Sequence, residues 1–197
     1  MDKLETLKNK VASLYGAKNP NRSQWTDWLY DQHVRCVADN ARSIARTHGA
    51  DPELSEAAAL LHDIADFKMS KRGDAHEQES LRLAREIMEE AGYADEQIKL
   101  VVDDAIRFHS CHGDERPKSL EGQVLATADS VAHLKTDFYL YAAWAWGRDR
   151  DFEAIKEWTL EKIERDLNVK IFFDDVRESA RPDYEIIKNL FSRAPLQ

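Results

Sequence analysis

The sequence predicts an all-α fold, a single-domain helical bundle, and three observations carry that prediction. Apolar residues recur at i, i+3, i+4 and i+7 through most of the chain, and no convincing run alternates with the period of two that a half-buried strand requires. Capping residues and glycines punctuate these stripes at helical intervals. No Gly-, Ser- or Pro-rich linker, low-complexity tract or internal repeat divides the 197 residues, so one domain over 1–197 is the simplest organisation. A chain of that length can bury a real core without staples.

Leu4, Leu7, Val11 and Leu14 form the first stripe, and Gly16 suits its end, giving a helix over 2–16. Residues 19–23 read as a turn. Ser23 or Thr26 then caps a long second helix running to about Thr47, with Gly49 as its stop. Val34, Val37, Ala38, Ala41, Ile44 and Ala45 are its buried face, and His33 sits one turn before Val37 at the edge of that face. Asp51 caps a third helix and Pro52 occupies its first position. Its apolar stretch over 57–68 puts Ala58, Leu61 and Ala65 on one side and delivers the pair His62-Asp63 to its C-terminal end.

A short basic loop covers 68–73. Asp74 caps a fourth helix, with Glu77 three residues on as in a capping box. Its inner face is Ser80, Leu83, Ala84, Ile87 and Met88; His76 lies one turn earlier on that face, and Gly92 stops the helix. The fifth helix turns Ile98, Val101, Val102, Ala105 and Ile106 inward, with His109 continuing the stripe. After a polar loop over 110–118, Ser119 caps a sixth helix whose inward residues are Leu125, Ala128, Val131 and Ala132, with Asp129 beside them. Three further helices follow, over 136–146, 152–167 and roughly 182–191. The core of the bundle is thus about 23–135, with the helix over 2–16 and those over 136–193 packed on its outside.

The formal net charge of −9 argues against a groove for long nucleic acids, whose binding rests on Lys and Arg neutralising phosphates. It leaves room for a small phosphorylated ligand, particularly where a bound cation inverts the local field. No apolar run is long enough to cross a bilayer, which predicts no membrane partner. The charged start, Met1-Asp2-Lys3-Leu4-Glu5, speaks against a signal peptide. Cys36 and Cys111 form no CxxC pattern, so a reducing, cytoplasmic setting is the default.

The chemistry concentrates in one ordered set: His33, His62-Asp63, His76, His109 and Asp129. Each lies on or at the edge of an apolar helical face, on five different helices. Any one histidine alone is more simply a core imidazole bonded to a backbone carbonyl, and Asp129 alone a packing carboxylate paired with an Arg. Together, independent accidents at five inward positions are much less probable than a shared site. Buried imidazoles and carboxylates must find partners, and a bundle core lined with them does so by binding metal.

The order H…HD…H…H…D resembles the HD-domain metal-dependent phosphohydrolase superfamily, in its small stand-alone, two-metal branch. The local motifs that carry the resemblance are HVRCVADNARSIA around His33, LLHDIADFK around His62, HEQESLRLA from His76, IRFHS to His109 and EGQVLATADSVAHL around Asp129. The resemblance implies that His33, His62, Asp63 and Asp129 hold a first metal. It further implies that His76 and His109 complete a second, with Asp63 bridging. The cofactor would be one or two divalent ions of Mn, Fe, Co, Ni or Zn, which His and carboxylate ligands all suit. A metal-activated water, oriented by Asp63 with His62 beside it, would then cleave a phosphoester or phosphoanhydride of a small molecule, a nucleotide foremost. Many relatives carry Lys three residues after the motif Asp; here that position is Asp66, and Lys68 is the nearest substitute.

Lys68, Lys71 and Arg72 are candidate phosphate contacts, with a solvated loop as the alternative. His112, in the polar loop, is a candidate substrate contact. His133, one turn after Asp129, could donate to the leaving group or simply hydrogen-bond beside the site. Trp25, Trp28, Trp144 and Trp146 read as packing aromatics rather than base-stacking ones. Two other functions share the ligand set: a di-iron oxygenase of the same fold, and a non-catalytic binding module with a vestigial site. The oligomeric expectation is monomer or homodimer.

Overall fold

The computed structural model describes residues 2–17, 19–22, 26–69, 73–147 and 151–193, and among these there is no strand. Ser23, Trp25, Lys71 and Arg72 lie outside the described residues. Helix α1 (Lys3–Gly16) starts where the Asp2 carboxylate accepts the Leu4 amide, and it buries Leu7, Val11 and Tyr15. The expected second helix is helical from Thr26 but not uniform. α2 (Thr26–Leu29) passes through a π-helical turn (Tyr30–Val34) before α3 (Arg35–His48). Gly49 ends α3 at φ +82°, a left-handed stop that lets Gly49 and Ala50 both donate to the Ala45 carbonyl.

Asp51 caps α4 (Pro52–Leu61) by accepting the Glu53 and Leu54 amides at 2.8 and 3.1 Å. The helix stops at the HD pair. His62 still has helical dihedrals, Asp63 leaves them at φ −122°, and a 3-10 turn (Ile64–Phe67) follows. Ala65 is therefore not on the face of α4, as the spacing suggests; its amide is taken by Ser80 Oγ at 3.2 Å. That Ser80 belongs to α5 (Gly73–Glu90), which begins one residue before the expected cap and puts Asp74 inside its first turn. α6 (Asp95–Ile98) runs directly into a second π-helical stretch (Lys99–Ile106).

Ser119 caps α7 (Leu120–Lys135) as expected, its Oγ accepting the Gly122 amide at 3.0 Å. Glu121 accepts the Asp51 amide and so ties the start of α7 to the start of α4. Thr136 terminates α7 rather than opening α8 (Phe138–Trp146). α9 (Phe152–Arg165) continues through a third π turn (Asp166–Lys170), past the expected end at Leu167. α10 (Asp174–Phe191) contains Pro182 in its interior, where the sequence reading has it as a first residue. Its opening turns are polar and mostly exposed, so no apolar stripe announces them.

α3 packs on α4 and α7, α4 on α7, and the stretch Lys99–Ile106 on both α4 and α7. The turn Asp166–Lys170 and α10 also pack on α7. α7 is consequently enclosed on every side, with Asp129 and His133 among its buried residues. Its close approach to Lys99–Ile106 requires Gly122: a Cβ there would meet Pro117 Cβ at 2.5 Å and Ala105 Cα at 3.1 Å. Among the described residues, no helix is long and apolar enough to cross a membrane.

Candidate metal centre

The end of α4 places His62 where the helix's last carbonyls lack amide partners. Its Nδ1–H donates to the Ala59 carbonyl at 2.7 Å. A carbonyl can only accept, so the neutral ring keeps its lone pair on Nε2. That Nε2 is buried and has no hydrogen-bond partner among the described residues. His109 uses the same device: its Nδ1–H donates to the Ile106 carbonyl at 2.6 Å, again three residues back at the end of a helical stretch. The two rings meet edge-on with centroids 5.3 Å apart. Burial and the neighbouring His62 push His109 down to about 3, so it is a neutral imidazole at ordinary pH.

The π turn Tyr30–Val34 presents His33 from the opposite side. Its Nε2 is 3.2 Å from Asp129 Oδ1, and its ring is 5.5 Å from that of His62. Its Nδ1 is buried and has no hydrogen-bond partner among the described residues. Burial lowers this imidazole despite the Asp129 carboxylate beside it. Asp129 Oδ1 also lies 3.8 Å from His62 Nε2. Burial alone would raise the Asp129 carboxyl, but the neighbouring His133, Lys170 and the hydrogen bond from His33 outweigh it and hold the group well below the usual range. One ligand atom each from His33, His62 and Asp129 falls within a common 4.8 Å, all three residues buried. Asp63 Oδ2 is 3.8 Å from His62 Nε2, at the rim of the cluster.

This donor set fits a divalent transition ion. Two imidazoles and a carboxylate converge in a buried volume, and the His62 Nε2 there has no hydrogen-bond partner among the described residues. Those three residues could hold the ion, with Asp63 adjacent.

Other expected residues make their own contacts. His76 is buried, but its Nε2 bonds Asp66 Oδ1 at 2.8 Å, so that nitrogen serves the 3-10 turn after the HD pair. Asp66 is fully buried where a lysine is expected, and the imidazole bonds one of its two oxygens. Lys68 pairs with Glu79, which Arg82 and Lys68 together hold down to about 2. His112 is exposed, with Nδ1 3.2 Å from an Arg165 nitrogen. His133 does reach the cluster: Nε2 is 3.3 Å from Asp129 Oδ1, and its ring stacks on His33 at 4.9 Å. Burial drives His133 down to about 3 against the pull of Asp129. Trp28 stacks on Tyr141 at 4.4 Å, which packs α8 onto α2 as the aromatic pattern suggests.

Sequence reasoning missed a second buried polar shell. Asp166 accepts from Tyr139 Oη at 2.5 Å and lies 3.3 Å from Lys162 Nζ and 3.1 Å from His133 Nδ1. Lys170 donates to Asp129 Oδ2 at 2.5 Å. The available signal was a K-x3-D-x3-K ladder, Lys162, Asp166 and Lys170, running beside the apolar positions Ile155, Thr159, Ile163 and Leu167.

The family model described as HD domain matches residues 30–134, the segment that carries His33, the His62-Asp63 pair and Asp129. The chain belongs to the HD-domain family, whose members bind divalent metals. Over 116 residues it is 34% identical to a deoxyguanosinetriphosphate triphosphohydrolase-like protein of Caldanaerobacter subterraneus subsp. tengcongensis, a match covering 53% of this chain and 33% of that protein. The chain thus spans about a third of the length of that curated relative. No solved structure gives a significant match.

Proposed function

We propose that the chain is a metal-dependent phosphohydrolase acting on a small phosphorylated molecule, a nucleotide foremost. The observation that carries this reading is the orphaned Nε2 of His62, aimed with His33 and Asp129 into one buried cluster. The HD family match and the similarity to a triphosphohydrolase-like protein support the reaction and substrate class. In this reading His33, His62, Asp63 and Asp129 hold one ion. A divalent ion held there supplies Lewis acidity, easing the deprotonation of water and offsetting phosphoryl charge.

The chain's own contributions follow from its contacts. The Ala59 carbonyl fixes the His62 tautomer so that the ring presents an acceptor inward. Asp63, leaving the helix beside His62, orients the attacking water. His109 presents its imidazole against His62 and supplies a further ligand. His76 is committed through Nε2 to Asp66, which favours one ion over two. Lys68 and Arg72 remain the proposed phosphate contacts, and His133 the proposed donor beside the leaving group.

A phosphate-release panel of nucleotides and sugar phosphates, run with Mn, Co, Ni and Mg, tests the reading. Metal-dependent release is expected from the wild type and none from Asp63→Ala. Full activity in that variant, or no release from any substrate by metal-loaded wild type, overturns it.

A further inference from the structure

The side chain that fixes Asp129 lies outside the segment matched by the family model, which ends at residue 134. Lys170 sits in the π turn Asp166–Lys170 with only 2% of its surface exposed. Its Nζ donates to Asp129 Oδ2 at 2.5 Å. The other oxygen faces the opposite way: Oδ1 is 3.2 Å from His33 Nε2, 3.3 Å from His133 Nε2 and 3.8 Å from His62 Nε2. One carboxylate thus divides its oxygens, one toward the imidazoles and one toward the lysine.

Lys170 is itself held in place. Its backbone carbonyl accepts from Thr127 Oγ1 at 3.4 Å, and the same Thr127 oxygen accepts the Phe172 amide at 3.0 Å. Its Nζ lies 3.8 Å from Asp166 Oδ1. Tyr139, Lys162 and His133 fix Asp166 in turn. Burying an ammonium costs several kcal/mol of desolvation on the order-of-magnitude scale for buried ions, and a well-packed apolar residue is often at least as stabilising. Lys170 offsets the buried charges of Asp129 and Asp166, and its placement on one oxygen of Asp129 gives it a second role, control of that carboxylate.

We propose that Lys170 is a positioning residue for metal binding: it reserves Asp129 Oδ2, so that Asp129 offers the ion Oδ1 alone. A carboxylate without such a partner can ligate through one oxygen or both. The contact selects between those modes and aims the lone pair of Oδ1 at the cluster. This rests on the metal-site reading above, and the test separates the two.

Cobalt(II) is titrated into metal-free wild type, Lys170→Gln and Lys170→Met, with folding checked by far-ultraviolet circular dichroism. The visible cobalt bands report coordination number and the titration reports affinity. Gln keeps an N–H for Oδ2 but loses the charge; Met loses both. Lys170→Gln is expected to retain the wild-type spectrum and to bind within about threefold of the wild type. Lys170→Met is expected to shift to weaker, higher-coordinate bands and to bind roughly 10–100-fold more weakly. Should Lys170→Met not fold, Asp166→Asn combined with Lys170→Met, which removes one buried charge of each sign, takes its place. A Met variant matching wild type in spectrum and affinity overturns the proposal. So do Gln and Met variants that change alike, because charge and not orientation would then be at work. Wild type that binds no cobalt refutes the metal site itself, whereas binding wild type with an unaltered Met variant refutes only the role of Lys170.

Discussion

His62 and His109, both proposed ligands, share one local arrangement, an imidazole at a helix end donating Nδ1–H to the carbonyl three residues earlier. With Nδ1 donating, the remaining acceptor of each neutral ring is Nε2. Replacing His62 with Ala should therefore abolish the rise in thermal stability on adding Mn or Co while leaving the helical circular dichroism intact. Retention of a full metal-induced shift would remove His62 from the site. A pH effect follows from the same burial. His109 and His133 sit at about 3 in the folded chain, far below the ordinary histidine value near 6.5. Between those values the unfolded chain binds protons that the folded chain refuses, so stability is full above about pH 6.5 and falls as pH drops toward 3. Denaturant unfolding of metal-free protein from pH 8 to 5 should show that decline, and a flat profile would contradict it. His33, His62 and Asp129 were legible because each lies on, beside or at the edge of an apolar stripe. His76 was legible as buried but not as bound to Asp66, since that contact joins residues from a turn and a separate helix.

Helix positions were legible from caps and glycines; the three π-helical stretches were not. A π turn accommodates an extra residue without any change in composition, so the periodic pattern merely drifts. Yet Tyr30–Val34 contains His33, Lys99–Ile106 leads to His109, and Asp166–Lys170 contains the buried partners of Asp129 and His133. Each widened turn re-aims a side chain that a regular helix would direct elsewhere. Deleting the exposed Arg35, just past the first of them, should restore α-helical register and rotate His33 by about 100° relative to α3. The variant is expected to fold and to lose metal binding by titration; unchanged binding would show that the turn is incidental. Gly122 gives a second prediction at this scale. Ala gains helix propensity of about 1 kcal/mol but collides with Pro117 and the Ala105 backbone. The collision should win, and Gly122→Ala should lower stability in urea by about 1–3 kcal/mol.

The whole molecule closes its site from both ends of the chain. α3, α4 and α7 bring the cluster together, while the turn after α9 reaches back onto α7 with Lys170 and Asp166. The C-terminal stretches were legible as helices. Their contribution to the centre was not, because Lys170 falls beyond the last apolar residue of the α9 pattern, Leu167. An ion bound only by the folded chain also stabilises it, by about 2.7 kcal/mol at a free concentration a hundredfold above the dissociation constant. Chelation should accordingly lower the melting temperature, and re-addition of the ion should restore it. The most direct measurement is a calorimetric titration of Mn or Co into metal-free wild type, His62→Ala and Asp129→Ala, with folding verified for each. One tight site in the wild type and none in either variant is the predicted result; equal binding by all three, or none by the wild type, would contradict it.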